Sequence, residues 1–168
     1  MTSKSTTHRK EAQAAAAEFE PEFVAGLREI FELRVAFNQT IGLKIADITP
    51  TLVQGHIAMR PDLIGHAAYE RIHGGVISAG LDSMGGLAVM AAIAARHMED
   101  TPQQRLQRFS RLGTIDLRVD YMRPGIGKAF LLRAEVLRLG SRVANTRMEF
   151  LSEAGELLSV GSAAYIVS

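Results

Sequence analysis

Residues 72–95 restrict the possible folds more than any other part of the chain. This stretch is almost entirely apolar or small, and its one acidic residue is Asp82. A segment of this length could cross a membrane, but a carboxylate and a hydroxyl such as that of Ser83 are costly in lipid. A helix that is apolar on nearly all sides otherwise lies in a protein core. The stretch therefore predicts a buried central helix that contains a carboxylate, and no membrane span.

The segments on either side of this helix have the residue pattern of β-strands. An antiparallel sheet needs a cover on one face, and only residues 75–95 are apolar enough to supply it. The sequence therefore predicts an α+β fold in which an antiparallel sheet wraps around one long helix. The six predicted strands span residues 43–48, 52–59, 113–123, 130–139, 143–151 and 157–167. In the third of these strands, the alternation places Ile115, Leu117, Val119 and Tyr121 on one face.

The N-terminal part of the chain predicts a helix that is added to this core. Pro21 suits a first helical turn, and apolar residues recur at helical spacing from Phe23 to Phe37, up to a stop at Gly42. We expect one amphipathic helix over residues 21–38, after a flexible or partly helical extension over residues 1–20. Residues 21–168 then form a single domain. Residues 60–71 predict a loop, and residues 96–107 a polar surface connection.

Composition excludes several classes of chemistry. The chain of 168 residues has no cysteine, which excludes disulfides, thiolate catalysis and cysteine-bound zinc. Its five histidines have no metal-ligand spacing, so we expect no metal, and neither a phosphate-binding loop nor a serine nucleophile elbow is present. A formal net charge of +1 gives no indication of nucleic acid binding. Because the N-terminus lacks the apolar run of a secretory signal, we expect a cytoplasmic protein.

The start of the central helix and its acid combine two groups that suit acyl chemistry. His73-Gly74-Gly75 precedes the apolar run, and the first amides of a helix have no partner within the helix. Such amides can stabilise an oxyanion, although a Gly-Gly pair also serves close packing. Asp82 is either a catalytic carboxylate or a structural one that bonds to a neighbouring group, because an isolated buried carboxylate is costly.

The spacing of these groups indicates a dimer. Gly75 and Asp82 are seven residues apart, about 10 Å along a helix. An oxyanion donor and a base that act on one carbonyl should both lie within a few ångström of it. Two copies of the helix that face each other would bring the glycines of one subunit to the acid of the other. We therefore expect each active site to take residues from two subunits.

Three motifs in this order give the chain a family resemblance. They are His73-Gly74-Gly75 with Asp82, the strand from Thr114 to Tyr121-Met122-Arg123-Pro124-Gly125, and Leu139-Gly140-Ser141-Arg142. Together they resemble the hotdog-fold acyl-CoA thioesterases of the phenylacetate-degradation type, over residues 42–167. The resemblance implies an enzyme that hydrolyses an acyl thioester to the acid and coenzyme A.

The resemblance also implies roles for individual residues near the thioester. The Gly74 amide would hold the oxyanion while Gly75 shapes the turn, and Asp82 would act as general base or as nucleophile. His73 would position the thioester, and Thr114 would position the hydrolytic water unless it is an ordinary strand residue. His66 stands where relatives often carry Asn, so it is either a replacement positioning group or an exposed loop residue.

Coenzyme A would be held at the ends of two strands. The residues implied are Tyr121, Arg123, Gly125, Gly140, Ser141 and Arg142. Arginine suits phosphate, although surface arginines are common. No cofactor is implied, since coenzyme A is part of the substrate, and self-association as a homodimer or a dimer of dimers is expected. Two alternatives stay open, a non-catalytic acyl-CoA or small-ligand binding dimer and, ranked last, a hotdog hydratase or dehydratase.

Overall fold

The computed structural model describes residues 18–167, so most of the predicted N-terminal extension lies outside the described residues. Residues 18–20 have no regular secondary structure. The α-helices are α1 (Pro21–Glu29), α2 (Ala36–Ile41), α3 (Gly74–Ala95) and α4 (Pro102–Gln107). The strands are β1 (Leu43–Ile48), β2 (Val53–Ala58), β3 (Ile64–His66), β4 (Arg71–Ile72), β5 (Gly113–Tyr121), β6 (Ala129–Leu139), β7 (Val143–Ser152) and β8 (Leu157–Ile166).

Six of these strands form one antiparallel sheet that packs against α3. Their order across the sheet is β1-β2-β6-β7-β8-β5, and α3 contacts all six of them. Leu81, Met84 and Leu87 of α3 are fully buried against the sheet, whose inner face includes the stacked rings of Phe130 and Phe150. The predicted α+β architecture, an antiparallel six-stranded sheet around a long central helix, is confirmed.

By length and composition alone, α3 would qualify as a membrane span, with a mean hydropathy of 1.6 in its most apolar window. Its position in the sheet explains this composition. The core helix of a globular domain is apolar on several faces because sheet and helices cover it on several sides. Within the described residues α3 is the one helix with this property.

The N-terminal helix is interrupted, which differs from the continuous helix predicted over residues 21–38. After α1, residues Ile30–Arg34 form a π-helical turn, and the extended backbone of Val35 separates this turn from α2. Phe23, Leu27 and Phe31 face the core as predicted, whereas Phe37 is 59% exposed because the break changes the direction of the helix. Gly42 ends α2 in the left-handed conformation, which confirms the predicted stop.

The two edges of the sheet differ in their protection. Side chains from the N-terminal segment cover the β1 edge, where Arg28 donates to the carbonyl oxygens of Ile45 and Ala46 and the Ile45 amide donates to Glu32 at 2.8 Å. The β5 edge pairs only with β8 and has no such cover among the described residues. Uncovered edge strands are ready sites for pairing with another chain.

A β-bulge in β5 corrects the predicted alternation of this strand. Thr114 pairs with Tyr165 of β8, and Asp116 pairs with Ala164, so Ile115 is the extra residue. The bulge leaves Ile115 55% exposed and turns Thr114 to the same face as Leu117. The prediction that Ile115 shares one face with Leu117, Val119 and Tyr121 was therefore wrong.

Two predicted connections contain more structure than expected. Within residues 60–71, β3 and β4 form a small hairpin that leads into α3. The predicted surface connection at residues 96–107 contains α4, whose Arg105 is fully buried. Arg105 pairs with Glu20 and lies 4.6 Å from the ring centroid of Phe23. This pairing, chiefly the hydrogen bond from Arg105, lowers the pKa of Glu20.

Candidate active site

The α3 helix begins with a histidine cap. His73 has an extended backbone, and its Nδ1 accepts the Gly75 amide at 2.8 Å. A Cβ atom at Gly75 would lie 2.9 Å from the same Nδ1, so only glycine leaves room for this bond. Because Nδ1 accepts, the neutral imidazole carries its proton on Nε2. His73 therefore shapes the helix start through one nitrogen and is a donor through the other.

Gly74 is the first residue of α3 and keeps its amide free. Among the described residues, the Gly74 amide donates to no acceptor, whereas its carbonyl accepts from the Tyr121 hydroxyl at 2.9 Å. A Cβ atom at Gly74 would meet the Tyr121 ring at 3.4 Å, an ordinary contact distance. The helix dipole adds positive potential at this amide. Gly74 is thus an available donor for a developing negative charge.

An open cleft of about 480 Å³ surrounds this helix start. Arg71, Arg123, His66 and His73 line it, and no carboxylate belongs to its lining. The remaining lining residues are Gly65, Ile72, Gly74, Ile77, Tyr121, Met122, Pro124 and Gly125. The cleft therefore favours an anionic ligand. Sequence reasoning missed Arg71, which reaches the cleft only because β3 and β4 form a hairpin.

The hairpin is fixed against the cap of α3. The His73 amide donates to the Leu63 carbonyl at 2.8 Å, and a Cβ atom at Gly65 would lie 2.6 Å from the His73 Cα. His66 is exposed, with its ring 4.9 Å from that of Tyr69. The structure therefore places His66 at the cleft, next to His73 and Gly74.

A second polar cluster lies further along α3, around Asp82. The Thr114 hydroxyl donates to Oδ1 of Asp82 at 2.9 Å, and the Tyr165 hydroxyl lies 3.1 Å from the same oxygen. Tyr165 also donates to the Asp82 backbone carbonyl at 2.9 Å. Oδ2 of Asp82 accepts no hydrogen bond from any described residue. The carboxylate is thus anchored through one oxygen and open at the other.

Tyr165 is a member of this cluster that sequence reasoning missed. It lies on the last strand, only 2% exposed, directly opposite Thr114 in the pairing of β5 with β8. Burial, together with the charge of the nearby Asp82, raises the pKa of Tyr165 well above its usual range. Tyr165 therefore stays protonated and acts as a donor. The only sequence signal for Tyr165 was the general expectation that a buried carboxylate such as Asp82 has a hydrogen-bond partner.

The structure does not bring the two polar groups of α3 together within one chain. Gly74 and Asp82 are eight residues apart, which corresponds to about 12 Å along the helix. Asp82 and Thr114 are absent from the lining of the cleft that contains Gly74. One chain therefore carries an oxyanion donor and a carboxylate at separate places.

The predicted coenzyme A residues are divided in the same way. Tyr121, Arg123 and Gly125 lie at the cleft, at the end of β5 where Tyr121 pairs with Ser159. The turn of Gly140, Ser141 and Arg142 joins β6 to β7 at the opposite end of the sheet. At that end Val143 and Gly113 both pair with Ile166, so the turn lies near Thr114.

Arg123 and Gly125 are both held by contacts with neighbouring residues at the cleft. Arg123 forms an ion pair with Glu156 at 2.9 Å and donates to the Leu157 carbonyl at 3.1 Å. Gly125 accepts from the Ile72 amide at 2.9 Å, and a Cβ atom there would lie 2.5 Å from the Ile72 side chain. Gly125 thus has a packing role at the cleft wall.

Within the described part of the chain, no three metal-ligating side chains cluster.

Comparison with known proteins shows the family of this chain. The family model for the thioesterase superfamily matches residues 69–159. The chain is 36% identical to the medium/long-chain acyl-CoA thioesterase YigI of Salmonella typhimurium and 35% identical to that of Escherichia coli, in both cases over 83% of this chain and 90% of the relative.

A solved structure gives the same result for the fold. The protein from Shewanella oneidensis related to the thioesterase superfamily is 37% identical and has a TM-score of 0.81. The match covers 89% of this chain and 100% of that one. The chain belongs to the thioesterase superfamily and is a thioester hydrolase with a hotdog fold.

Proposed function

We propose that the protein is an acyl-CoA thioesterase whose active site lies at the Gly74 end of α3. The observation that carries this proposal is a free helix-start amide that faces a cleft with two arginines and no carboxylate. Such a cleft suits a substrate that is both a thioester and a polyanion, as acyl-CoA is. Relatives named medium/long-chain acyl-CoA thioesterases support the same substrate class.

In the proposed reaction the thioester carbonyl oxygen accepts the Gly74 amide. Negative charge grows on this oxygen as the tetrahedral intermediate forms, so the amide stabilises the transition state more than the substrate. The His73 Nε2 proton and the His66 imidazole position the thioester from the cleft wall. The carbon–sulfur bond then breaks, and coenzyme A leaves as a thiolate that takes a proton from solvent water.

Asp82 supplies the second part of the reaction through Oδ2. As a general base it takes a proton from water that attacks the carbonyl carbon. As a nucleophile it attacks the carbonyl itself and forms an anhydride, which water then hydrolyses. The Thr114 hydroxyl donates a hydrogen bond to Oδ1 of Asp82, and its lone pairs can accept one from this water.

A second copy of the chain would bring Asp82 to the cleft. On α3, Gly75, Ser78, Ala79 and Asp82 follow helical spacing along a face that the described residues leave partly uncovered. This face lies beside the open β5 edge, whereas the β1 edge is covered by Arg28 and Glu32. A twofold axis next to β5 would place the Gly74 end of one α3 beside the Asp82 end of the other.

The same axis would reunite the residues proposed for coenzyme A. Arg123 of one subunit lies at the Gly74 end of its own β5, and Arg142 lies near the Asp82 end. In an antiparallel pair these ends meet, so Arg123 and Arg142 of different subunits would flank one substrate. Their guanidinium groups would then contact its phosphates. The expected assembly is a homodimer or a dimer of dimers.

The proposal is tested with a panel of acyl-CoA esters whose acyl chains range from about two to about eighteen carbons, that is, from short to long. The released thiol is the readout. We expect turnover with a preference for medium or long chains, and a loss of about 10³-fold in kcat in Asp82→Asn. Asp47→Asn, an exposed acid on β1, is the control and should retain wild-type turnover.

Two outcomes would contradict the proposal. Unchanged turnover in Asp82→Asn would remove the carboxylate from the reaction. Tight binding of acyl-CoA without turnover by the wild type would favour the non-catalytic binding dimer instead.

A further inference from the structure

We propose that Tyr165 and Gly85 together form a positioning device for Asp82, in which Gly85 makes room for the Tyr165 hydroxyl and this hydroxyl fixes the carboxylate. The inference rests on the proposed function, because it assigns a role in the reaction of Asp82. Tyr165 is a positioning residue, since it is buried, bonds to Asp82 and does not line the cleft.

The first observation is the geometry of the hydroxyl. It lies 2.9 Å from the backbone oxygen and 3.1 Å from Oδ1 of the same residue, Asp82. A donor that contacts both the main chain and the side chain of one residue restricts the side-chain torsions between them. Thr114 approaches the same Oδ1 from β5. Both donors contact Oδ1, so Oδ2 keeps its lone pairs open.

The second observation is the space that Gly85 leaves. A Cβ atom at Gly85 would lie 2.3 Å from the Tyr165 hydroxyl oxygen and 3.0 Å from its Cζ. Atoms in real proteins do not approach this closely, so an alanine here would displace the hydroxyl. Glycine is also unfavourable inside a helix by about 1 kcal/mol relative to alanine. The contact with Tyr165 gives a reason for its presence at this position.

The third observation is the adjacent glycine, which lacks this constraint. A Cβ atom at Gly86 would meet its nearest neighbours, Leu112 and Tyr165, at 3.9 Å. Gly85 and Gly86 are both buried in α3, so alanine has the same effect on helix propensity at either position. They differ in close contacts: a Cβ atom at Gly85 would meet the Tyr165 hydroxyl most closely and the Met148 sulfur at 3.2 Å, whereas one at Gly86 meets nothing tight. The pair therefore offers a matched control.

The bulge of β5 completes the device. Because Ile115 is the extra residue, Thr114 is directly opposite Tyr165 and both side chains face α3. The Ala164 amide donates to Asp116 at 3.1 Å and holds the bulge. Two neighbouring strands thus present one donor each to the same carboxylate oxygen, and a regular strand would have turned Thr114 to the outer face.

The test compares Tyr165→Phe, Gly85→Ala and Gly86→Ala by steady-state kinetics with the best acyl-CoA ester. Tyr165→Phe keeps the ring and removes the hydroxyl, and we expect about a tenfold lower kcat with KM within about twofold, since the phenol contacts no substrate. Gly85→Ala should show a similar loss in kcat, whereas Gly86→Ala should match the wild type.

A double substitution separates the hydroxyl contact from general strain. If Gly85→Ala acts through the hydroxyl, it adds little in the Tyr165→Phe background, so that Gly85→Ala with Tyr165→Phe matches Tyr165→Phe alone. Thermal unfolding and subunit mass of each variant are measured in parallel. Should Tyr165→Phe fail to fold, the comparison of Gly85→Ala with Gly86→Ala decides the question.

The inference is overturned if folded Tyr165→Phe retains wild-type kcat, if its loss appears in KM, or if Gly85→Ala and Gly86→Ala behave alike. These results differ from a failure of the proposed function. If Asp82→Asn retains turnover, the proposed function fails. If Asp82→Asn is inactive while Tyr165→Phe and Gly85→Ala are as active as the wild type, only the positioning role fails.

Discussion

The two polar regions of α3 are built in opposite ways. At the Gly74 end, an amide is free, the surroundings carry arginines and histidines, and the cleft is open. At the Asp82 end, the buried hydroxyl of Tyr165 and the exposed hydroxyl of Thr114 hold one carboxylate oxygen, and glycine makes room for the first of them. The first region suits a negative charge that develops only during the reaction. The second suits a permanent carboxylate that is held in one orientation.

In the proposed dimer, this difference would divide the reaction between two subunits. A free amide at a cationic cleft can bind a thioester and stabilise its oxyanion, but it cannot activate water. A fixed carboxylate can activate water, but it repels an oxyanion. Within one chain the amide and the carboxylate are about 12 Å apart, and in the proposed dimer a second copy would bring them to one substrate.

Among the changes that test this comparison, removal of the free Gly74 amide should have the largest effect. Gly74 is the first helical residue, where proline is well tolerated, and His73 has the extended conformation (φ −66°, ψ 134°) that precedes proline readily. Gly74→Pro should therefore keep the helix and lose the donor, with kcat about a hundredfold lower. Steady-state kinetics and circular dichroism measure the two effects.

Gly74→Ala is the matched control, because it keeps the amide and its Cβ atom fits at 3.4 Å from Tyr121. We expect its kcat to stay within about threefold of the wild type. Equal losses in the proline and alanine variants would show that shape at this position matters and that the amide does not.

The next effect concerns the edge at which the two regions would meet. In the proposed dimer, Ile115→Lys places a charge on the open β5 edge, next to the same edge of the partner subunit. The dissociation constant of the dimer should therefore rise at least about tenfold, which corresponds to about 1.4 kcal/mol in binding free energy. Ala46→Lys on the covered β1 edge is the control, and its dimer should be unaffected. Light scattering over a dilution series measures both.

Activity in the same dilution series extends this prediction. If the site needs two subunits, activity of Ile115→Lys should fall in step with the dimer fraction. Monomers of full activity would break the comparison, because one chain would then hold both regions of the site.

The smallest expected effect concerns substrate binding at the cleft. Arg123→Ala should raise KM for acyl-CoA about fivefold with little change in kcat, since a phosphate contact is made equally in the ground and transition states. Because Arg123 also pairs with Glu156, its contribution to the free energy of ligand binding is reduced. Arg147→Ala, an exposed arginine paired with Glu149, is the control. An unchanged KM in Arg123→Ala would exclude it from the binding site.

The sequence predicted the parts of the site that follow from local pattern. The apolar run, its start at His73-Gly74-Gly75 and the lone acid Asp82 are visible in one stretch of chain, and alternation located all six strands of the main sheet. Gly42 ended its helix as predicted because a left-handed residue there favours glycine.

The missing parts depend on contacts between distant segments. Tyr165 follows Asp82 by more than eighty residues, and in its strand it resembles any core aromatic residue. The bulge at Ile115 has no local signal, because Ile115 continues a regular alternation. The break at Val35 and the burial of Arg105 likewise depend on packing against other elements, which periodicity does not describe.

The central claim, that each site takes Gly74 from one subunit and Asp82 from the other, is tested most directly by mixing two inactive variants. Gly74→Pro and Asp82→Asn subunits are unfolded together and refolded in equal amounts, and turnover is compared with each variant refolded alone. A mixed dimer would contain one site with both defects and one intact site. Since about half of the dimers are mixed, the account predicts about a quarter of wild-type turnover. If the mixture is no more active than the two variants apart, the site lies within one chain and the account is contradicted.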